Sequence, residues 1–598
     1  MVEGYIKEKV KITIQKAFFI ILKTLFYRYQ FSYSKAKTGY NRILFVPIVF
    51  FILSNLGFSQ TLQPNFPVLE ESYRRGQVLG FNQDNYSFNV RPIDLAKLSF
   101  EKVLNGDYKN DTLSIPHSKN RYFSILPLRQ TVAFNTKRPY GWGNGPMLPN
   151  VGVQTYTSLG ISLKYSILRV QLAPEFVYAQ NRPFQGFSGE FPESVNRARF
   201  FYWSFGDYPE RFGDEPISFL WWGQSKITIQ AGFLEAGVST ENIFWGPGQF
   251  SSLTFSNNAR SFPHFTLRTS RPAKTFLGSF EGEIIVGRLE DSGYFPSQLP
   301  NLNQRLFNRF TGDYKYLNAI TLTYQPKWVS GFYFGISRTH QQYSEQQGEK
   351  FVDYFPIFEP FQKTVYGFDK DGEGRDQQVT FFGRWVIPKG KFEIYFEYGR
   401  RDHAYNWREA ILNPEHARAY LAGFKKLWST SKEGRYFQVR GEMLHQQQSV
   451  NRTIRYAGFG GGYTWHTHGQ ARGFSNYGEA LGTGPGVGSN VQSLEISQIT
   501  GLNKRGLLLE RLVNHQDFFY RAFVRNSSKQ PWVDYSIGLL WDQKWSHLIL
   551  SAKAQYIYAY NYQWQSEQNS RPEFYQGKHM GAFFGQFSLL YFLKGNSH

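Results

Sequence analysis

From Leu128 to the end of the chain, apolar and polar positions alternate. In KFEIYFEYGR, Phe392, Ile394, Phe396 and Tyr398 share one face, and Glu393, Tyr395 and Glu397 the other. In YFQVRGEML, Phe437, Val439 and Met443 alternate with Gln438, Arg440 and Glu442. Ile320, Leu322 and Tyr324 line one face of YLNAITLTYQP, and Phe583, Phe587, Leu589, Tyr591 and Leu593 share a face near the C-terminus. A period of two predicts strands with one apolar and one polar side. Short turns, such as Gln325-Pro326-Lys327 and Ile387-Pro388-Lys389-Gly390, separate paired strands. Longer stretches, Glu359 to Arg375 and Tyr463 to Asn490, read as loops at the other end.

A soluble sandwich has the same alternation, with its polar face in water. Three features favour a membrane barrel over residues 129–598. The apolar faces are unusually aromatic, as interfacial girdles require. The last strand runs almost to the C-terminus, and a sheet in lipid must close with no free edge. The third feature is an export signal. Lys35, Lys37 and Arg42 precede an apolar run from Ile43 to Leu53, followed by small residues that place cleavage after Ser59. Residues 1–59 thus read as a signal-peptide region, with an extension ahead of Lys35 that holds a second apolar patch, Ala17 to Phe26. Between signal and barrel, residues 60–128 carry little alternation. Ile93 to Leu104 has helical spacing and Asn105-Gly106 would stop it, which predicts a short, partly helical periplasmic or plug-like segment.

Composition narrows the classes. A mean hydropathy of −0.45 over 598 residues argues against helical membrane spans. It is compatible with a barrel, in which only alternate residues face lipid. The absence of cysteine removes thiol chemistry and Cys-based metal sites. The net charge is +21, and the chain stays basic after residues 1–59, which hold nine Lys/Arg and two Glu, are removed. Behind an export signal nucleic acid is not the expected partner. Anionic glycans or lipopolysaccharide phosphates suit a positive field, and a basic solvated surface is the plain alternative.

The segment STENIFWGPGQFSSLTFSNNARSFP, from Ser239 to Pro263, resembles the signature of the capsule assembly protein Wzi family. Collinear stretches agree with it: RPYGWGNGPMLPNVGVQT (Arg138 to Thr155), LAPEFVYAQN (Leu172 to Asn181) and DYPERFGD (Asp207 to Asp214). So do FEIYFEYGRRD (Phe392 to Asp402), NPEHARAYLAGFKKLW (Asn413 to Trp428) and YGEALGTGPGVGSNVQSLEI (Tyr477 to Ile496). The resemblance implies an all-β, transmembrane antiparallel barrel of about 18 strands in the bacterial outer membrane. It implies a lectin-like, non-catalytic role in anchoring capsular or surface polysaccharide. Family members carry a sizeable periplasmic helical bundle, whereas residues 60–128 here are short and weakly helical.

Sugars are held by aromatic faces, planar amides and Arg forks. Trp142, Trp245, Asn257, Asn258, Arg260, His466 and Asn476 supply that inventory and are the candidate polysaccharide contacts. A structural reading stands beside it: Gly246-Pro247-Gly248 fixes a turn, and the amides cap backbone within an inward-folded loop. Glu281 and Glu283, two apart on a strand, lie about 7 Å apart, near the spacing of glycosidase carboxylates. Lumenal glutamates also pair with arginines, and Arg384 and Arg440 are candidates for that. His466 and His468 share a face but lack a third ligand for zinc. GFGGG, Gly458 to Gly462, lacks the context of a phosphate loop. No cofactor is expected. The expected partners are surface polysaccharide and outer-membrane lipid, around a monomeric barrel. A porin for small solutes, or a structural barrel of an adhesion or secretion complex, is the alternative.

Overall fold

The computed structural model describes residues 61–62, 66–81, 86–94, 121–308, 310, 312–359, 374–401, 406–449, 464–523, 529–571 and 573–593. The expected signal region, most of the expected Ile93–Leu104 helix, the GFGGG stretch and most of the 359–375 loop lie outside them.

Among the described residues, twenty-three strand segments form one closed antiparallel ring. Five staves are each broken once. They are β1 (Arg121–Ile125 and Leu128–Asn135), β2 (Gly152–Ser158 and Ile161–Tyr165), β3 (Leu168–Leu172 and Glu175–Ala179) and β4 (Ile217–Trp221 and Lys226–Ala231). After β5 (Leu234–Ser239), β6 (His264–Thr269 and Ala273–Lys274) is the fifth. Then follow β7 (Gly278–Leu289), β8 (Lys315–Pro326), β9 (Phe332–Tyr343), β10 (Asp376–Ile387), β11 (Phe392–Arg401) and β12 (Arg418–Ser429). The last are β13 (Arg435–His445), β14 (Asn490–Thr500), β15 (Asn503–Val513), β16 (Val533–Trp545), β17 (Leu548–Tyr560) and β18 (Met580–Tyr591). Closure is the pairing of β18 with β1, from Phe584 opposite Asn135 to Tyr591 opposite Leu128.

The alternation now has a direction. Phe396, Phe437, Met443, Ile537, Leu539, Phe583 and Phe587 point out and are exposed, while Glu393, Glu397, Arg384, Gln438 and Glu442 point in and are buried. A soluble protein hides its apolar face. An apolar outer band around a polar lumen fits a sheet solvated by lipid. Leucine, isoleucine and the aromatics suit both the strand backbone and the bilayer, so one residue set meets both demands.

The connections are unequal. Two to five residues join strands at one end, for example 166–167, 388–391 and 501–502; the other end carries 136–151, 180–216, 240–263 and 446–489. In the N-terminal segment, Ile93–Asp94 is not helical as expected but an extended pair with Thr61–Leu62. Among the described residues of this segment the helix is α1, Pro67–Val78, with proline in its first turn and no side-chain cap. It lies at the short-turn end of the lumen. Phe66, Leu69 and Tyr73 bury against Leu502, Ile549 and Leu590, and Val78 against Tyr333, Val386 and Leu427. Arg74 bonds Glu393 of β11 at 3.0 Å, and the same glutamate takes Arg384 at 2.7 Å. Arg384 and Glu393 are each 0% exposed, so chain, not water, covers the lumenal wall at this level.

Candidate functional site

The 239–263 segment leaves β5 and dips into the lumen before returning as β6. Phe244–Trp245 pairs with Val90–Arg91 of the N-terminal segment, so loop and N-terminus meet inside the barrel. Arg91 donates to the carbonyls of Gly246 (2.7 Å) and Gly248 (3.0 Å). Gly246 sits at φ +110°, where a Cβ would strike the Glu397 carboxylate and Ser252 Oγ; glycine is required there.

Lumenal carboxylates hold this backbone. Glu442 of β13 accepts from the N–H groups of Gln249 (2.7 Å), Phe250 (3.2 Å) and Ser251 (2.8 Å), and from the Tyr395 hydroxyl (2.8 Å). Glu397 of β11 accepts from Gly248 N (3.2 Å), Leu253 N (2.8 Å) and Ser252 Oγ (3.0 Å). A loop buried in a barrel has no ladder partner, so its donors need side-chain acceptors. The glutamates that alternate along β11 and β13 provide them.

A second inward segment, 464–489, is fixed likewise. Arg401 of β11, paired with Asp376 at 2.7 Å, donates to the carbonyls of Trp465 (3.0 Å) and Arg472 (2.7 Å). Lys315 of β8 donates to those of Gly473 and Ser475, both at 3.0 Å. The two segments join where Ser256 N donates to the Leu481 carbonyl (2.8 Å).

Toward the long-loop end these segments floor a cavity of about 250 Å³. Its sides are 135–150, α2 (Glu193–Gly206), and the chain around Asn514, Trp532 and Tyr562. Over it, α2 packs on α3 (Gln516–Ala522) through aromatics, with Trp203 edge-on to Phe518 at 5.4 Å. Tyr140, Trp142, Trp203 and Trp532 supply rings to the lining, and Asn135, Asn150, Asn258 and Asn514 supply amides. Arg138 and Arg199 supply cations, and both are almost fully buried. Arg199 lies 3.3 Å over the Trp203 ring, and burial lowers its pKa to about 9 against the raising influence of Glu210. His466 and His515 also line the cavity. Burial, helped by Arg401 for the first and Arg199 for the second, lowers each to about 3, so both imidazoles are neutral near pH 7.

The seven sequence candidates divide. Trp142, Asn258 and His466 face this cavity. His466 bonds Gln446 through Nε2 and the Tyr208 hydroxyl through Nδ1 (3.2 Å). Asn258 accepts from Gly143 N (3.1 Å) and donates to the Ala480 carbonyl (2.9 Å). Trp245 is buried, its Nε1 donating to Glu283 (2.9 Å) and its ring edge-on to Phe255. Asn257 accepts from Asn242 and donates to the Gly143 carbonyl. Asn476 accepts from Glu290 N and donates to the carbonyls of Arg260 and Ser261. These three hold the inward fold together, as the structural reading had it. Arg260 lies beside the cavity, stacked 3.6 Å over Tyr477 and 4.5 Å from Phe219.

The paired glutamates are likewise engaged: Glu281 accepts from Ser87 N (2.8 Å), and Glu283 from Thr266 (2.7 Å) as well as Trp245. Arg384 and Arg440 serve other carboxylates, Glu393 and Glu495. His468 accepts from Ala471 N (3.0 Å), closing a local turn. Sequence reasoning missed Arg199, Trp203, His515 and Trp532. They sit in two separate long connections, 180–216 and 514–532, and only barrel closure brings them together.

A closed antiparallel barrel with an apolar outer band, a lumen filled by its own chain and a cavity under long loops defines a transmembrane β-barrel of the outer-membrane type. Residues 223–506 match the family described as capsule assembly protein Wzi. Among solved structures it is similar in fold to Wzi of Escherichia coli, with a TM-score of 0.55 at 12% identity, covering 89% of this chain and 100% of that one. That protein is described as a carbohydrate-binding outer-membrane β-barrel involved in group 1 capsule assembly. Acinetobacter baumannii OccAB2 aligns over 78% of this chain and 97% of its own, at 10% identity and a TM-score of 0.36. A comparison with curated protein sequences gives no match.

Proposed function

We propose that this chain is an outer-membrane barrel that binds capsular or other surface polysaccharide at the cell surface and takes part in capsule assembly, without catalysis. The carrying observation is the cavity under the long loops, lined by tryptophans, amides and arginines above a lumen filled by inward-folded chain. Aromatic faces cover the C–H surface of a sugar ring, and amides and guanidinium groups meet its hydroxyl and acidic groups. Trp142, Asn258 and His466 remain the sequence candidates best placed for such contacts. The family match over residues 223–506 and the likeness in fold to the E. coli barrel support the reading.

The porin alternative needs an open lumen. The 239–263 and 464–489 segments, bonded to β8, β11 and β13, speak against it. Glycan cleavage by Glu281 and Glu283 needs free carboxylates, and both are occupied by internal donors. The test is affinity electrophoresis of the purified full chain in gels cast with polysaccharide extracted from the parent cells. Retardation that grows with polysaccharide concentration is expected, with no change in glycan chain length. Mobility equal to that in a blank gel would reject the proposal.

A further inference from the structure

Two guanidinium groups in this cavity are incompletely satisfied. Arg199 is 2% exposed, and its Nε and Nη1 have no hydrogen-bond partner among the described residues. Its nearest carboxylate oxygen, Glu210 Oε1, is 3.7 Å from Nη2 and already accepts from Phe187 N at 2.6 Å. Arg138 is 3% exposed, with Nε unpartnered. Its Nη2 lies 2.8 Å from Asp534, a carboxylate that also takes Trp532 Nε1 and Asn514 Nδ2. A buried donor left unpaired is costly, more so when charged, so native proteins rarely keep several in one cavity without a use.

The surroundings sort the ligand. The histidines of the cavity are neutral. Glu479, which also lines it, is raised well above the ordinary carboxylate range by burial, against the lowering influence of Arg260. The charged free donors are thus guanidinium N–H groups, whose fork geometry suits a planar, bidentate acceptor, and the neutral His515 Nδ1 is the other unpartnered nitrogen of the lining. Tyr140, Trp142 and Trp203 offer ring faces beside them. A volume of about 250 Å³ lies below the ~300–1,000 Å³ of sites for drug-sized ligands, which suits a single sugar ring rather than an oligosaccharide.

We propose that this cavity is a subsite for one acidic sugar residue of the polysaccharide, its carboxylate held by Arg199 and Arg138 and its ring set against the tryptophans. The inference rests on the polysaccharide-binding reading and names its chemical class. It assigns a role to two arginines that the barrel itself does not use fully.

The test leaves the protein unchanged at first. Purified full chain is titrated with methyl glucuronoside, its methyl ester and methyl glucoside, followed by calorimetry and tryptophan fluorescence. The uronate is expected to bind at least tenfold more tightly than the neutral ester or the glucoside. A pyruvate-ketal hexose, run alongside, separates the two common sources of a sugar carboxylate. Tighter binding of that probe reassigns the carboxylate's position on the sugar. Equal affinity for charged and neutral probes, or no binding of either acid, overturns the proposal. Arg199→Gln is expected to remove the preference for the uronate over its ester. Arg199→Lys keeps the charge without the fork and should lose severalfold. An unchanged uronate preference in Arg199→Gln also overturns it. If whole polysaccharide retards the barrel while the acid–ester preference is missing, only this subsite fails. If the polysaccharide does not retard it, the parent reading fails too.

Discussion

Replacing Glu442 by alanine should loosen the 239–263 segment without unmaking the barrel. The Glu442 carboxylate accepts three backbone N–H groups in succession, from Gln249, Phe250 and Ser251, and the Tyr395 hydroxyl. Its strand, β13, keeps its full ladders to β12 and β14 whatever side chain stands at 442, since those bonds are backbone. The loss therefore falls on the loop. Each buried donor left without an acceptor costs about 1–3 kcal/mol. Water drawn into the vacated space relieves part of that, so the low end applies, about 3 kcal/mol for the three amides together. At 1.4 kcal/mol per tenfold, the opened fraction of the segment should rise about 150-fold. Hydrogen exchange on the micelle-held full chain reads this directly. Amides 249–253 should exchange roughly 150-fold faster in Glu442→Ala, with β14 and β15 unchanged. Glu442→Gln, which keeps one acceptor oxygen, should fall between. Unchanged protection at 249–253, or an equal loss along the barrel strands, would refute the claim that wall carboxylates hold this loop.

Three further outcomes follow from the same structure. Glu393→Ala strands Arg74, Arg384 and Lys425 in a buried setting, and breaking such a cluster costs about 3–5 kcal/mol; the urea midpoint of the folded, heat-modifiable form should drop, and an unchanged midpoint contradicts the assignment. Gly246→Ala meets both a positive φ and the Glu397 carboxylate, so protease should cut faster within 240–263 than in the parent, with equal rates counting against the fit. His466 and His515, near pKa 3 in the fold and about 6.5 when released, bind protons only on opening. Stability of the loop cap should therefore rise with pH between about 3 and 6.5, by about 1.4 kcal/mol per pH unit for each histidine. Tryptophan fluorescence during denaturation at stepped pH should show that slope, reduced in His515→Gln; a flat profile contradicts it.

The barrel was legible in the sequence because a lipid-facing sheet writes itself as period-two alternation. The faces drawn for 392–398, 437–443 and 583–593 are those that point outward. The inward fold of 239–263 was half legible. Its turn and amides suggested a rigid loop, but which carboxylates receive the loop depends on β11 and β13 lying across the lumen from it, some 140 to 200 residues along the chain. The start of the expected Ile93–Leu104 helix differs for a physical reason, and residues 95–104 lie outside the described residues. Ile93 has helical neighbours in sequence, yet Ile93–Asp94 pairs as extended chain with Thr61–Leu62. Among the described residues of this segment a helix forms at Pro67–Val78, where Arg74 and Glu71 find lumenal partners. Cavity residues were the least legible. Arg199 and Trp203 lie one helical turn apart on α2, and their own stretch of sequence does not mark them until Asn258, His466 and Trp532 arrive from elsewhere.

The most direct test of the central claim is the partition of polysaccharide in a strain lacking this protein. Parent and deletion cells are pelleted, and capsular sugar is assayed in pellet and medium. If the chain holds polysaccharide to the surface, total sugar stays the same and moves from pellet to medium, and the parent sequence restores it. If the partition is the same in both strains, the barrel does not anchor surface polysaccharide.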